Sequence, residues 1–245
     1  MILALNTAEE RLQILLVDGG GLRGLFEEDC PGRMNEIMAP EAARMLAAAP
    51  APLEGVACVR GPGSFTGVRL GLAYAHGLCL ARSLPLAGLD YLPLLAACGR
   101  EEAPGCEMHV LTHSRTARVY HQGFDPCGAP LAPAQDLPAQ AAAQLVRQRA
   151  ATGPVAVLGS GLRRNPAHFE DLGPALRLGL IDPTPPALAQ AALTQAARGA
   201  AFTGPPVDAL YLRGSDAEEN LAAIAAGRGL TPEEAQARLE RALSG

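Results

Sequence analysis

The chain has 245 residues, long enough to bury a sizeable core as one large domain or two modest ones, and its 49% hydrophobic content is that of an ordinary globular protein. All 20 basic residues are arginine, which excludes Schiff-base lysines, P-loop lysines and catalytic ammonium groups. The net charge of −5 argues against tight autonomous binding of nucleic acid, which needs a basic face.

Residues 2–6 and 12–17 are apolar runs joined by a polar turn and predict two strands; Asp18-Gly19-Gly20-Gly21 then turns the chain into a third over 22–27. Met34, Ile37, Met38, Ala42, Met45 and Leu46 recur at three- and four-residue steps. That rhythm predicts a helix over 35–49, with Pro40 kinking it or marking the start of its regular part. A strand over 55–60, a glycine-rich turn, a helix over 66–83, a short strand near 86–89 and a helix over 91–98 close the first half. The second half opens on strands 108–113 and 117–124 around Ser114-Arg115-Thr116. It continues with a helix over 137–151, a strand at 155–158 and the turn Gly159-Ser160-Gly161. Residues 165–186 carry little regular signal before a helix over 187–198 and a strand at 209–212. Two half-chains that each open with strands and return to a helix-covered strand predict a pseudo-duplicated α/β architecture. Beyond it, Ser215 with Glu218 and Thr231-Pro232 with Glu234 form capping boxes, so the tail reads as a helical hairpin.

The densest motif is Arg60-Gly61-Pro62-Gly63-Ser64-Phe65-Thr66-Gly67, between a strand and a helix N-terminus. Unpaired backbone N–H groups converge there, so an anion or another backbone can approach closely. It lacks a P-loop lysine, and the order around Ser64 is not that of a nucleophile elbow. Helix capping is a sufficient role for Thr66 and Ser64. In the helix that follows, Gly67, Gly71 and Ala75 make a stripe of small residues flanked by Val68, Leu72 and Cys79. Such a stripe packs either on its own sheet or on a partner helix, and the methionines of the preceding helix are adaptable contact residues. Met34, Ile37, Met38, Met45, Val68, Gly71, Leu72, Ala75 and Cys79 are therefore the candidate partner surface.

Other candidates for chemistry are weaker. His109 and His113 lie four apart in an apparent strand, about 13 Å from each other, too far to share an ion, and read as exposed or hairpin residues. The six cysteines have no C-x-x-C spacing and read as reduced thiols, so no metal site is expected. Asn6 is an amide where a hard dication would want a carboxylate. Gly159-Ser160-Gly161 is a plain turn or a weak nucleotide signal. The N-terminal apolar run is short and soon followed by Glu9 and Glu10, unlike a signal peptide, and no run reaches membrane-spanning length; a cytoplasmic protein is expected.

The segment Val59-Arg60-Gly61-Pro62-Gly63-Ser64-Phe65-Thr66-Gly67-Val68-Arg69-Leu70-Gly71, followed by Gly77-Leu78 and by Leu84-Pro85-Leu86-Ala87-Gly88, resembles the signature of the TsaB (YeaZ) family. Ile2-Leu3-Ala4-Leu5-Asn6-Thr7, Ser114-Arg115, Val119-Tyr120 and Tyr211-Leu212-Arg213 resemble further landmarks of that family. The resemblance implies an actin-like/Hsp70-like (ASKHA) two-lobed fold: an N-terminal lobe over 1–102, a C-terminal lobe over 103–213 and the helical tail over 214–245. It implies a non-catalytic subunit of the complex that makes N6-threonylcarbamoyladenosine (t6A) in ANN-reading tRNAs. The first two helices would bind a TsaD-type threonylcarbamoyltransferase or, in isolation, a second copy. A TsaE-type ATPase would join the complex, and tRNA would be met only through it. No cofactor is expected on this subunit, ATP and a metal belonging to the catalytic partner. Asn6 where an aspartate is usual, and the tail, depart from the family pattern. An actin-like-fold ATPase or small-molecule kinase using Gly61–Gly67 or Gly159–Gly161 for phosphates is the enzymatic alternative, and a metallopeptidase a further one.

Overall fold

The structure is a computed structural model that describes residues 1–198, 207–212 and 231. Short apolar runs broken by polar or glycine turns fold into β1 (Ile2–Asn6), β2 (Arg11–Asp18), β3 (Gly21–Asp29), β4 (Gly55–Gly61) and β5 (Leu86–Asp90). They form one sheet in the order β3-β2-β1-β4-β5. β1 pairs antiparallel with β2 and parallel with β4, and β4 pairs parallel with β5. The parallel pairs need crossovers, supplied by α1 (Met34–Ala47) before β4 and α2 (Phe65–Arg82) before β5.

The second half repeats this plan. β6 (Glu107–Arg115), β7 (Arg118–Phe124), β8 (Gln135–Pro138), β9 (Val155–Leu158) and β10 (Leu176–Arg177) form a sheet in the order β10-β9-β6-β7-β8. β6 pairs antiparallel with β7 and parallel with β9, as β1 does with β2 and β4. α4 (Ala139–Ala150) stands where α1 stood, and the short α5 (Ser160–Arg164) and α6 (Pro166–Phe169) replace α2. The duplicated architecture predicted from the two half-chains is thus present strand for strand.

Two helices close the design. α3 (Tyr91–Glu102) carries the chain from the first sheet to the second and packs on both β4 and β6. α7 (Pro185–Ala197) brings it back, packing on β1, β2 and β3 and against α3. Thr184 caps α7 by accepting the Ala187 N–H, and prolines occupy its first turn, where their missing N–H costs nothing. Every residue of β1 is buried, which requires cover on both faces; α2 and α7 both pack on it. Residues 1–210 make one compact unit and 211–245 a second.

Several expectations shift. Pro40 lies inside one continuous helix that begins at Met34, so it does not mark the start of the regular part. β8, α6 and β10 carry too few residues for a periodic signal and were not anticipated. Residues 209–212 are irregular rather than a strand, although the Leu210 N–H still bonds the Arg60 carbonyl at 2.7 Å. The tail helices expected over 214–245 lie outside the described residues apart from Thr231.

Candidate functional site

The glycine loop after β4 is spent on the protein's own backbone. Its N–H at Ser64 donates to the Ala8 carbonyl at 2.7 Å. Side chains at Gly63 and Gly67 would collide with the carbonyls of Ala8 and Thr7, and one at Gly71 with the Thr7 hydroxyl. Gly61 has φ +107°, a conformation open to glycine, and a Cβ there would sit 3.2 Å from the Leu210 carbonyl. Ser64 caps α2 by accepting the Gly67 N–H at 3.2 Å, while Thr66 stands exposed in the first turn and makes no cap. The second glycine turn behaves alike: Cβ atoms at Gly159 or Gly161 would strike the Leu111 carbonyl of β6. Both turns exist so that a helix can press on the backbone of its sheet's central strand.

The small-residue stripe is corrected by the same geometry. Val68, Gly71, Leu72, Ala75 and Cys79 are buried against the protomer's own first sheet, as are Met34, Met38 and Met45 on α1; only Ile37 among the nine is partly exposed. Gly71 and Ala75 are small because Thr7 and the sheet lie beneath them, so the expected contact face is turned inward. The opposite side of α2 offers a different stripe: Leu70, Ala73, Gly77 and Leu80, at steps of three and four. Leu80 is 86% exposed. At Gly77 a Cβ would meet nothing within 4 Å among the described residues, so these give no packing reason for a glycine in mid-helix, where it costs about 0.8–1 kcal/mol relative to alanine. On α1 the outward positions include Ala39, Ala43 and Ala47. α1 and α2 touch.

Between the edge of the first sheet, Arg163 of α5 and the segment 179–185 lies a cavity of about 440 Å³. Glu9, Glu10, Glu27, Asp29 and Asp182 line it, against Arg11 and Arg163. Arg11 is already committed, its guanidinium holding Asp29 at 2.7 and 2.9 Å with Glu27 at 3.6 Å. Burial pushes the Glu9 carboxyl up to about 7, aided by Asp182 and opposed by the Ser160 hydrogen bond and Arg164. Burial raises Asp182 as well. Asn6, fully buried, accepts the Ala8 N–H at 3.1 Å and donates to Gln13 at 2.7 Å; Gln13 in turn donates to Glu27 and to the Pro183 carbonyl. The lining thus carries five carboxyl groups against two guanidiniums, and of the glycine-loop amides that of Ser64 is engaged by the Ala8 carbonyl.

The histidines are arranged otherwise than expected. His109 lies in the β6–β7 pair but is buried rather than exposed, and its ring meets His121 on β7, Nδ1 to Nε2 at 2.9 Å. His109 Nε2 lies 2.7 Å from Glu107, which also holds Arg149 of α4 through both carboxylate oxygens. Burial, then His109, pushes His121 down to about 4. The sequence carries no pattern for this pair, because it depends on the register in which Leu111 faces His121. All six cysteines are free, and burial lifts Cys58 to about 12, an inert thiol. Among the described residues no three His, Cys, Asp or Glu side chains could hold a metal, and no helix is long and apolar enough to cross a membrane.

Two sheets of matching strand order, each flanked by helices and linked by α3 and α7, define a protein of the actin-like, two-lobed (ASKHA) class. The family described as "TsaD: tRNA N6-adenosine threonylcarbamoyltransferase" matches residues 33–157, half of the chain. The chain belongs to that family, among its TsaB (YeaZ) members. It is 31% identical over 122 residues to the tRNA threonylcarbamoyladenosine biosynthesis protein TsaB of Escherichia coli (strain K12). That alignment takes in 49% of this chain, and the chain spans about half the length of the curated relative it matches, 52%. A Pseudomonas aeruginosa protein with similarity to peptidase YEAZ superposes with a TM-score of 0.69 at 25% identity, over 86% of this chain and 99% of that one. YeaZ from the same organism gives 0.67 at 24% identity, over 84% and 98%.

Proposed function

We propose that the chain is a non-catalytic subunit in the synthesis of tRNA N6-threonylcarbamoyladenosine, and that it acts by binding a TsaD-type transferase through the outward faces of α1 and α2. The observation that carries this reading is Gly77. A helix-interior glycine with open space beside it makes sense where another backbone comes close, and it sits in an apolar stripe with Leu80 almost wholly exposed. Support comes from the family match, which begins at the start of α1 and spans α2, so a TsaD-type protein has equivalent helices to offer in return. A second copy of this chain has the same helices, and a homodimer is the form expected in the partner's absence. Binding would favour the transferase's competent state only by contacting that state better than the resting one.

No residue of this chain is assigned a catalytic role, and no cofactor is placed on it, since the cleft is acidic and the glycine loop engaged. The enzymatic alternative, a kinase or ATPase, has no observation in its favour here. The reading is tested by co-expressing the chain with the TsaD-type protein of the same genome and reconstituting t6A formation with the other components. A stable complex, and t6A synthesis that needs this chain, is the expected result. Failure to associate, or hydrolysis of Mg-ATP by this chain alone at enzymatic rates, overturns it.

A further inference from the structure

Residues 207–210 lie as a short strap over β4, β5 and α2. The His76 Nε2–H of α2 donates to the Val207 carbonyl at 2.9 Å, and the Leu210 N–H donates to the Arg60 carbonyl of β4 at 2.7 Å. Two glycines make room beneath it. A Cβ on Gly88 of β5 would come within 2.8 Å of Val207 Cγ1, and one on Gly61 within 3.2 Å of the Leu210 carbonyl. Arg60, whose side chain also lies against Gly88, is held by Asp90 at 2.6 Å. The seat is built into three elements, yet the hold is light. Among the described residues two hydrogen bonds fix the strap, Asp208 is exposed, and Val207, Ala209 and Leu210 are only half-buried.

The place of His76 on α2 gives the strap a further neighbour. On the helix surface His76 adjoins Ala73, three residues before it, and Leu80, four after it, and all three are exposed. Ala73 and Leu80 belong to the outward stripe of α2. A helix laid on that stripe therefore reaches the His76 ring and the Val207 carbonyl that it holds. A hydrogen bond open to water contributes little, because water competes for both groups; covering it removes the competitor.

We propose that the strap 207–210 is one wall of the partner-binding site on α2, lightly seated in the free chain and clamped when a TsaD-type helix docks. This rests on the docking reading given above. The coupling is reciprocal: the factor by which the partner favours the closed strap is the factor that the closed strap adds to the partner's affinity. One hydrogen bond moved from a wet to a dry setting sets it at about 3- to 10-fold.

Amide hydrogen exchange at Leu210, in the full chain alone and saturated with the TsaD-type protein of the same genome, reads the strap. Protection should rise by that factor on binding. His76→Ala removes the hydrogen bond from the helix side, and Gly88→Ala displaces Val207 from the side of β5, outside α2. Each should speed Leu210 exchange in the free chain and weaken partner binding by the same factor in calorimetric titration. Leu210 protection that the partner leaves unchanged overturns the proposal, whether or not either variant folds. So does a Gly88→Ala chain with fast Leu210 exchange and the parent's affinity, since His76 would then act by direct contact alone. In either case, loss of binding in Ala73→Glu/Leu80→Glu leaves the docking reading standing. Absence of binding by the unaltered chain removes that reading and the strap's role together.

Discussion

Replacing Gly77 by alanine should have opposite effects on the protomer and on its association. In the free protomer the new methyl enters open space, so only helix propensity changes, and stability should rise by about 0.8–1 kcal/mol. At the docked face the same methyl stands between two close backbones. Overpacking of that kind costs about 1–3 kcal/mol, which weakens association about 5- to 150-fold. Gly71→Ala, on the other side of the helix, is the contrast. Its methyl would strike the Thr7 hydroxyl and lie 3.4 Å from Cys58 Sγ, so it should destabilise the protomer by about 1–3 kcal/mol. Urea unfolding of each variant, with calorimetric titration against the TsaD-type protein, measures both quantities. A Gly77→Ala chain that is no more stable than the parent, or that binds the partner as tightly, refutes the assignment of this glycine to an outside contact.

Three further outcomes follow from the buried polar groups. Glu9 has a folded value raised to about 7, so the folded state binds the extra proton and stability falls as pH rises from 4.5 to 7. Glu9→Gln should match the parent in denaturant midpoint below pH 4.5 and exceed its stability by up to about 3 kcal/mol above pH 7; equal stabilities at pH 8 contradict this. His121 works in reverse. Its value is depressed to about 4, so its contribution is complete above 6.5 and lost as pH falls towards 4, up to about 3 kcal/mol. His121→Gln should flatten that acid slope, and an unchanged slope would place the acid sensitivity elsewhere. Thr7 Oγ1 is buried with no partner among the described residues, so Thr7→Val should raise stability by about 1 kcal/mol in the same melts, whereas a loss would mean the hydroxyl is satisfied.

The regular elements were legible because their signals are local. The apolar runs of β1 and β2, the three- and four-residue steps of α1 and the capping serine of α2 each need only neighbouring residues to be read. The orientation of α2 was not. Gly67, Gly71, Ala75 and Gly77 look alike in sequence, and only the position of Thr7, brought beneath the helix by the pairing of β1 with β4, separates the inward glycines from the outward one. His109 was misjudged for a related reason: its partner is twelve residues away on the neighbouring strand, and strand spacing by itself does not show which face α4 covers. Glu9 reads as an ordinary turn carboxylate until the second sheet, about 150 residues on, supplies Ser160. Long-range placement decides all three.

The central claim is that a foreign helix seats on the outward side of α2. Its most direct test is the dissociation constant for the TsaD-type protein of Ala73→Glu/Leu80→Glu, beside that of the parent chain. Both positions are exposed in the protomer, so the double variant should melt like the parent while losing measurable binding, because two carboxylates would be desolvated in an apolar contact. Undiminished affinity in a folded double variant would contradict the account.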